Sequence, residues 1–352
     1  TRNWDDVGKF RNNIGVVVGD DGITLVNVMF EGELEALLAE IKKISNKPIQ
    51  YVFNSNWDFH NTEANMALKK QGATIVAHKN IQYFANTSTQ LLFDEKLTLD
   101  IGTDKIMAYR SHGHSMGHIN IFFEKANIMF MSDSYRDQWM TTPGPFGYQG
   151  HIKGLKSALK LADLKTKFIP GNTSSSVYVK QNQILKEIEL RKTFVSRVKI
   201  LHEQNMSVAD ISIDNEINEL FKVNYERYPE YGKDLSHNVR AALYGIKLAN
   251  KKNNNESLVK YTGQYNLPNN QTIDVFLEDG NLFAKSEGAF YYLLTMNSPD
   301  TFEFGWSSPI RTIKFVKNDS SKISGLTFNL AEGDDRYGQE TALKYLREIP
   351  II

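Results

Sequence analysis

The chain has 352 residues, with 41 Lys plus Arg against 41 Asp plus Glu, and no cysteine. At roughly 150 residues per domain the length points to about two domains, and hydrophobic residues at 41% supply their cores. Zero formal net charge removes any global electrostatic reason to bind nucleic acid or an anionic membrane. The lack of cysteine excludes disulfides, thiolate nucleophiles and sulfur-ligated zinc.

No apolar run reaches the roughly 18 residues of a membrane span. The first residue is Thr1 rather than Met, which reads as a processed or trimmed N-terminus. Two compartments stay open: export with the leader absent from this chain, or the cytoplasm.

Asn13 to Asn27 reads NIGVVVGDDGITLVN, two β-branched runs around Gly-Asp-Asp-Gly, which predicts a hairpin. Leu34, Leu37, Leu38 and Ile41 recur at helical spacing over Glu33–Ile44. Ile49–Phe53 is a short strand, followed by a polar stretch from Asn54 to Thr62. A helix over Ala64–Lys70 and a strand over Ala73–Ala77 complete an alternation typical of a layered α/β domain. Strands follow at Lys96–Leu99, Ile106–Tyr109, Ile119–Phe123 and Ile128–Met131. A helix over His151–Leu164 leads to the strand Phe168-Ile169. Helices are predicted over Gln181–Glu203, Val208–Phe221 and Leu235–Leu248.

Lys251–Ser257 is polar, charged and aperiodic, and reads as a linker. Beyond it lie short alternating strands near 263–265, 272–276, 282–284, 302–304, 312–315 and 325–328, separated by turns such as Asp279-Gly280 and Ser298-Pro299. That pattern predicts a small antiparallel, barrel-like β-domain. The expected organisation is thus a domain over 1–250 with a helical extension over 179–250, a linker at 251–257 and a β-domain over 258–352.

The segment Asn54–Asn80, NSNWDFHNTEANMALKKQGATIVAHKN, resembles the metal-binding loop, helix and Gly-Ala-x-Ile-x-Ala-His strand of metallo-β-lactamase-fold hydrolases. In gapless register the family's His-x-His-x-Asp-His falls on Asn56, Asp58, His60 and Asn61. His114-Ser-Met-Gly-His118 resembles the family's His-Thr-x-Gly-Asp/His, and Phe130-Met-Ser-Asp133 the strand that ends in Thr-Gly-Asp. Ile169-Pro-Gly-Asn172 resembles Ile-Pro-Gly-His with Asn172 in place of the histidine. Asn27 stands where the family has a supporting Asp. The resemblance covers about residues 10–250 and implies a metallo-β-lactamase-like αββα sandwich. The part from Tyr261 to Phe328 looks like the small lipocalin-like domain appended to some hydrolases.

Carried over residue by residue, the resemblance yields Asn56, Asp58, His60, Asn61, His114, Asp133 and Asn172 as the site. Asn56, Asn61 and Asn172 are amides, which are poor partners for zinc, so a paired zinc centre is not expected. Asp58, His60, His114 and Asp133 remain as good ligands for one divalent metal (zinc, iron or manganese), with Asn56, Asn61, Asn172 and His118 as weak or supporting groups. His60 is the candidate general base, with Asp58 or Asp133 orienting it. No separate organic cofactor site is read.

Two functions stay open. One is hydrolysis of a small ester, amide or lactone at a rewired, mononuclear metal site, with Asp58 and His60 as its catalytic pair. The other is a catalytically inactive family member that binds a small-molecule ligand or a partner, its old metal pocket filled by a histidine–carboxylate network and its cofactor none. Trp57, Phe59, Tyr135, Trp139 and Phe146 are candidate pocket walls or core residues. Thr173–Ser176 reads as a solvated turn, and His78, His112, His151, His202 and His237 as packing, loop or surface residues. Nothing in the sequence decides the oligomeric state.

Overall fold

Alternation along the strands sorts the N-terminal side chains into layers. The computed structural model describes residues 12–83, 88–137, 140–172, 177–227, 235–250, 255–266, 272–286, 292–304 and 311–329. The chain divides into two compact units, Thr1–Leu235 and Ser236–Ile352. The first unit opens with β1 (Gly15–Val18), β2 (Ile23–Val26), α1 (Leu34–Ile44), β3 (Ile49–Phe53), α2 (Phe59–Thr62), α3 (Asn65–Lys70), β4 (Thr74–His78) and β5 (Leu91–Phe93). These strands form one sheet in the order β1-β2-β3-β4-β5, antiparallel between β1 and β2 and parallel thereafter.

A second sheet, in the order β10-β9-β8-β7-β6, contains β6 (Lys96–Asp100), β7 (Lys105–Arg110), β8 (Ile119–Phe123), β9 (Ile128–Ser132) and β10 (Lys167–Pro170). The helix α4 (Gly147–Leu161) crosses from β9 to its parallel partner β10. The helices α5 (Gln181–Glu203), α6 (Val208–Ser212), α7 (Asn215–Leu220) and α8 (Lys222–Arg227) follow.

Neighbouring residues on one strand serve different layers. Val26, Phe53 and Val76 meet Ile106, Ile121 and Phe130 between the two sheets. Ile23, Leu25, Val52 and Ile75 point the other way, against Leu34 and Ile41 of α1 and Leu68 of α3. Met129, Met131 and Phe168 pack outward on Leu155 and Ala158 of α4 and Ile184 and Ile188 of α5. The period-two alternation of a strand buried on both faces therefore builds helix, sheet, sheet and helix layers around three cores.

Several elements differ from the sequence reading. The polar stretch before Thr62 contains α2, and β5 was not anticipated. The helix read over Val208–Phe221 is two helices. Ser207 Oγ accepts from the Asp210 amide (3.1 Å), and Asp214 Oδ1 accepts from the Ile217 amide (3.1 Å). Two capped N-termini so close together leave no room for one continuous helix. The helix α4 starts at Gly147 rather than at His151.

The second unit holds α9 (Ser236–Asn250), α10 (Asn255–Val259) and the strands β11 (Gly263–Asn266), β12 (Thr272–Glu278), β13 (Asn281–Ser286), β14 (Tyr292–Ser298), β15 (Thr301–Phe304), β16 (Thr312–Lys317) and β17 (Ile323–Asn329). They form an antiparallel meander in chain order. β14 was not anticipated, and residues 255–257 of the stretch read as a linker open α10. Tyr261, Phe302, Phe315 and Leu326 fill the interior of the sheet. Its first and last strands flank one cavity of about 220 Å³, which shows how far the sheet curls. No helix of the described residues is long and apolar enough to cross a membrane.

Three histidines of the first unit, His78, His118 and His151, are fully buried. Burial, with Arg110 nearby, pushes His78 down to about 3, and its Nδ1 accepts the Asn80 amide. Burial and then His114 push His118 down to about 4. Burial, assisted by Arg191, holds His151 well below the usual range. Each binds a proton in the unfolded chain below about pH 6.5 but not in the folded one. Their contribution to stability is therefore complete above that pH and is lost as pH falls towards the folded values. We expect urea melts to lose up to about 1.4 kcal/mol per pH unit for each histidine below about pH 6.5. The His118→Gln variant should show a shallower slope, and a pH-independent midpoint would reject neutral burial.

Candidate functional site

β2, β3 and β9 end at one rim, where the chain leaves regular structure. Asn27 and Ser132 both adopt positive φ there, at 62° and 46°. Their side chains bond to each other, since Asn27 Nδ2 donates to Ser132 Oγ (3.2 Å). Ser55, just beyond β3, donates through Oγ to Ser132 Oγ (2.6 Å) and through its amide to Asn27 Oδ1 (2.9 Å). This knot fixes the loops that carry Asn56, Asp58 and Asp133. Gly171 completes the rim, because a Cβ there would stand 2.6 Å from Asp133 Oδ1.

Asp58 precedes α2, yet its carboxylate caps no amide of that helix. Instead Asp58 Oδ2 lies 3.2 Å from His114 Nε2. Asn56 Oδ1 accepts from the Asp58 amide (3.0 Å) and from Asn61 Nδ2 (2.7 Å). Those two bonds set the orientation of the Asn56 amide, so its NH2 donates to Asp133 Oδ2 (2.8 Å) and Asp58 Oδ2 (3.1 Å).

Asp133 is the buried centre, at 1% exposure. Its Oδ2 accepts from Asn56, from Asn61 Nδ2 (3.1 Å) and from His60 Nε2 (3.1 Å). Its Oδ1 accepts two bonds from Arg136, from Nε (2.8 Å) and Nη2 (2.6 Å). Burial alone would raise the Asp133 carboxyl, but Arg136 and His60 hold it well below the usual carboxylate range.

His114 has an acceptor on each ring nitrogen: the Thr142 carbonyl 3.1 Å from Nδ1 and Asp58 at Nε2. Both acceptors are satisfied together when each ring nitrogen carries an N–H, which is the imidazolium form. Burial works against that charge, yet the bond to Asp58 outweighs it and raises His114 above the ordinary histidine value. Reciprocally, burial pushes Asp58 up but His114 brings it down. Two carboxylates thus face two cations, Arg136 and His114.

The residues proposed from sequence separate into two groups. Asn56, Asp58, His60, Asn61, His114 and Asp133 share one hydrogen-bonded network. Asn172 and His118 stand outside it among the described residues. The buried Oδ1 of Asn172 has no hydrogen-bond partner, while its carbonyl accepts from the Asp137 amide (3.4 Å). His118 Nε2 donates to the Met131 carbonyl (3.1 Å), bracing β9 from behind. Phe59 is 64% exposed beside the network, whereas Tyr135 is core. Trp139 and Thr173–Ser176 lie outside the described residues.

Ligand atoms of Asp58, His114 and Asp133 all lie within 4.8 Å of one another, a grouping able to hold a metal ion. His60 Nε2 stands to one side, 4.0 Å from Asp58 Oδ2. The arrangement of protons and cations does not fit a metal as it stands. His114 carries a proton at Nε2, and Asn56 and Asn61 present N–H groups rather than lone pairs. Arg136 already supplies the positive charge at Asp133.

Two arginines were missing from the sequence reading. Arg136 lies three residues beyond Asp133, a spacing that brings the pair together in this turn. Arg191 falls on the buried stripe Ile184, Ile188, Phe194, Val198 of α5, and a charge on such a stripe is a signal visible in the sequence. It is 0% exposed, bonds Thr141 through the carbonyl and Oγ1 (3.1 Å each), and pairs with Glu187 (2.7 Å). It therefore holds the loop whose next carbonyl, on Thr142, orients His114. Gly144 lets that loop approach, since a Cβ there would meet the His114 backbone at 2.9 Å.

Residues 249–341 match a family model described as a domain of unknown function (DUF3471). Over 125 residues the chain is 27% identical to a hydroxyacylglutathione hydrolase of Chelativorans sp. (strain BNC1), which covers 35% of this chain and 48% of that protein. The match thus spans less than half the length of that relative. A metallo-beta-lactamase from Pontibacter korlensis superposes with TM-score 0.45 and 16% identity, covering 50% of this chain and 85% of that one. ETHE1 from Myxococcus xanthus gives 0.43 and 13%, covering 51% and 78%. The DIM-1 metallo-beta-lactamase exposed to ceftazidime gives 0.44 and 17%, covering 52% and 85%.

The two carboxylates should differ sharply on truncation. Asp133→Ala removes the partner of a nearly buried guanidinium and of three further donors, and should cost about 3–5 kcal/mol. Asp58, at a more open position, should cost roughly 1 kcal/mol as Asp58→Ala. Denaturant melts of both variants check this, and equal costs would show that Asp133 is not the centre of the network.

Proposed function

We propose that the N-terminal unit is a metallo-β-lactamase-type hydrolase scaffold whose pocket binds a small-molecule ligand or a partner without a resident metal. The observation that supports this reading is the Asp133–Arg136 pair. A buried carboxylate needs a cation, and the guanidinium supplies it through two N–H bonds to one oxygen. The second carboxylate has its own cation in His114. No charge is left over for a divalent ion to neutralise.

Asp58, His60 and His114 are each between a fifth and a quarter exposed, at 24%, 22% and 23%, so the network has an open face. That face offers a carboxylate, an imidazole and an imidazolium beside the exposed Phe59 ring. A small polar ligand with an apolar part suits such a surface.

One observation favours a second reading, in which a single divalent metal sits on Asp58, His114 and Asp133 and a small ester, amide or lactone is hydrolysed. Those ligand atoms are already gathered, and the partial likeness to a hydroxyacylglutathione hydrolase points the same way. In that case His60, oriented by Asp133, is the group placed to take a proton from water.

Elemental analysis separates the two. The full chain, purified without chelating resin and again after incubation with zinc, manganese or ferrous iron, should hold no stoichiometric transition metal. About one equivalent that disappears in Asp58→Ala would replace the binding reading with the mononuclear hydrolase.

A further inference from the structure

We infer that the exposed face of α4, with the turn that follows it, docks the first unit on an anionic lipid surface. The pocket plays no part in this. β9 and β10 run parallel and end at the pocket rim, whereas the turn after α4 enters β10 at its opposite end, at Lys167. The two are separate surfaces.

Charge is the first observation. The chain is neutral as a whole, but the balance is not local. From Gly147 to Lys186 there are seven lysines, no arginine and one acid, Asp163. The helix α4 itself carries Lys153, Lys156 and Lys160 and no acid. Steps of three and four put these lysines on one face, and all three are exposed. Other helices of the first unit answer exposed lysines one turn away: Lys43 with Glu40, Lys192 with Glu189, Lys199 with Glu203. Among the described residues the three lysines of α4 have no ion pair. Asp163 is committed to its own turn, where Oδ1 accepts from Asn127 Nδ2 (2.9 Å) and the Lys165 amide (2.8 Å). On the neighbouring α5, Glu187 pairs with Arg191 and Glu189 with Lys192.

The second observation is apolar. Leu161, Leu164, Val177 and Tyr178 are 42%, 87%, 71% and 40% exposed. They gather at the end of the basic face. Leu161 ends α4, and Leu164 sits in the turn to β10. Val177 and Tyr178 come alongside, because Val179 bridges to Phe168 and the Lys167 ammonium lies 5.3 Å from the Tyr178 ring centre. Exposed apolar tips beside unanswered cations are the combination by which a peripheral surface recognises an anionic bilayer. Headgroups attract the lysines, and the interface takes up the apolar tips. A nucleic acid would use the lysines and leave the leucines in water.

The test sediments the full chain with vesicles of phosphatidylcholine alone and of an equal mixture of phosphatidylcholine and phosphatidylserine. At about 0.1 M salt the attraction reaches about 10 Å, and at about 1 M it is largely screened. The expected result is binding to the mixed vesicles at low salt, little binding to the neutral ones, and release at high salt. Each lysine beside such a surface is worth roughly fivefold in partitioning, so Lys153→Gln/Lys156→Gln/Lys160→Gln should bind roughly 100-fold more weakly. Leu164→Ser should bind about tenfold more weakly. Removing as many charges from the opposite outer layer, in Lys42→Gln/Lys69→Gln/Lys70→Gln, should change little.

All of these side chains are exposed, so the variants test binding rather than folding. No binding to the mixed vesicles overturns the inference, and so does an equal loss in the two triple variants. Unchanged vesicle binding by Leu164→Ser, with a mixed-sequence DNA duplex bound as tightly through the same α4 lysines, overturns it in favour of a nucleic-acid surface.

Discussion

The structure around the pocket depends on one constraint: a carboxylate at the end of β9 is nearly sealed from water and must be neutralised in place. Asp133 has both oxygens fully engaged, one by a guanidinium and the other by two amides and an imidazole. Desolvation of such a charge costs several kcal/mol, so no member of this set is free to leave without a replacement. The identity of each neighbour follows from that need. Asn56 and Asn61 supply N–H donors where a metal ligand would supply a lone pair.

The scaffold converts this local demand into a long-range one. The cation and its carboxylate share one short turn, but the loops that surround them come from β2, β3 and the segments before α4 and beyond β10. Strained backbone at Asn27 and Ser132 is tolerated because their side chains bond each other across the sheet ends. On the far side, Arg191 carries its charge into the core of the helical layer and spends it on Thr141 and Glu187. Burial pushes the Glu187 carboxyl up despite that pairing, a sign of how dry the layer is. Positioning His114 thus reaches through two shells of buried charge.

Much of this was legible in the sequence, and the parts that were not share a cause. Strands buried on both faces appear as β-branched and aromatic runs, so β2, β3, β4, β8 and β9 were read near their observed bounds. The order of the motifs around Asn56–Asn61, His114 and Asp133 brought six of the pocket residues into view. The pairing among them could not be read, because it depends on which carboxylate faces which imidazole. His60 lies closer to Asp133 than to Asp58, and His114 bonds Asp58. Arg136 was overlooked because a motif centred on metal ligands directs attention to lone pairs and away from cations. β5 was overlooked because its three residues are too few to show a period, and β14 because Tyr-Leu-Leu-Thr-Met-Asn-Ser does not alternate strictly between apolar and polar residues.

The substitutions in the pocket also fit one another. Relative to the pattern that the chain resembles, position 58 holds a carboxylate where the pattern has an imidazole, and position 60 the reverse. Independent loss of ligands would leave buried charges unpaired, which costs more than an apolar replacement. Here each carboxylate instead has a cationic partner, and Asn56 uses its two ends to satisfy an amide pair on one side and both carboxylates on the other. The side-chain oxygen of Asn172 is the exception, buried and unbonded among the described residues. The edge of this network at Asp58, His60 and His114 is polar and partly open to solvent. Apolar side chains would fill the same space without buried charge, so the polar network is a cost in stability that the proposed ligand-binding role would offset.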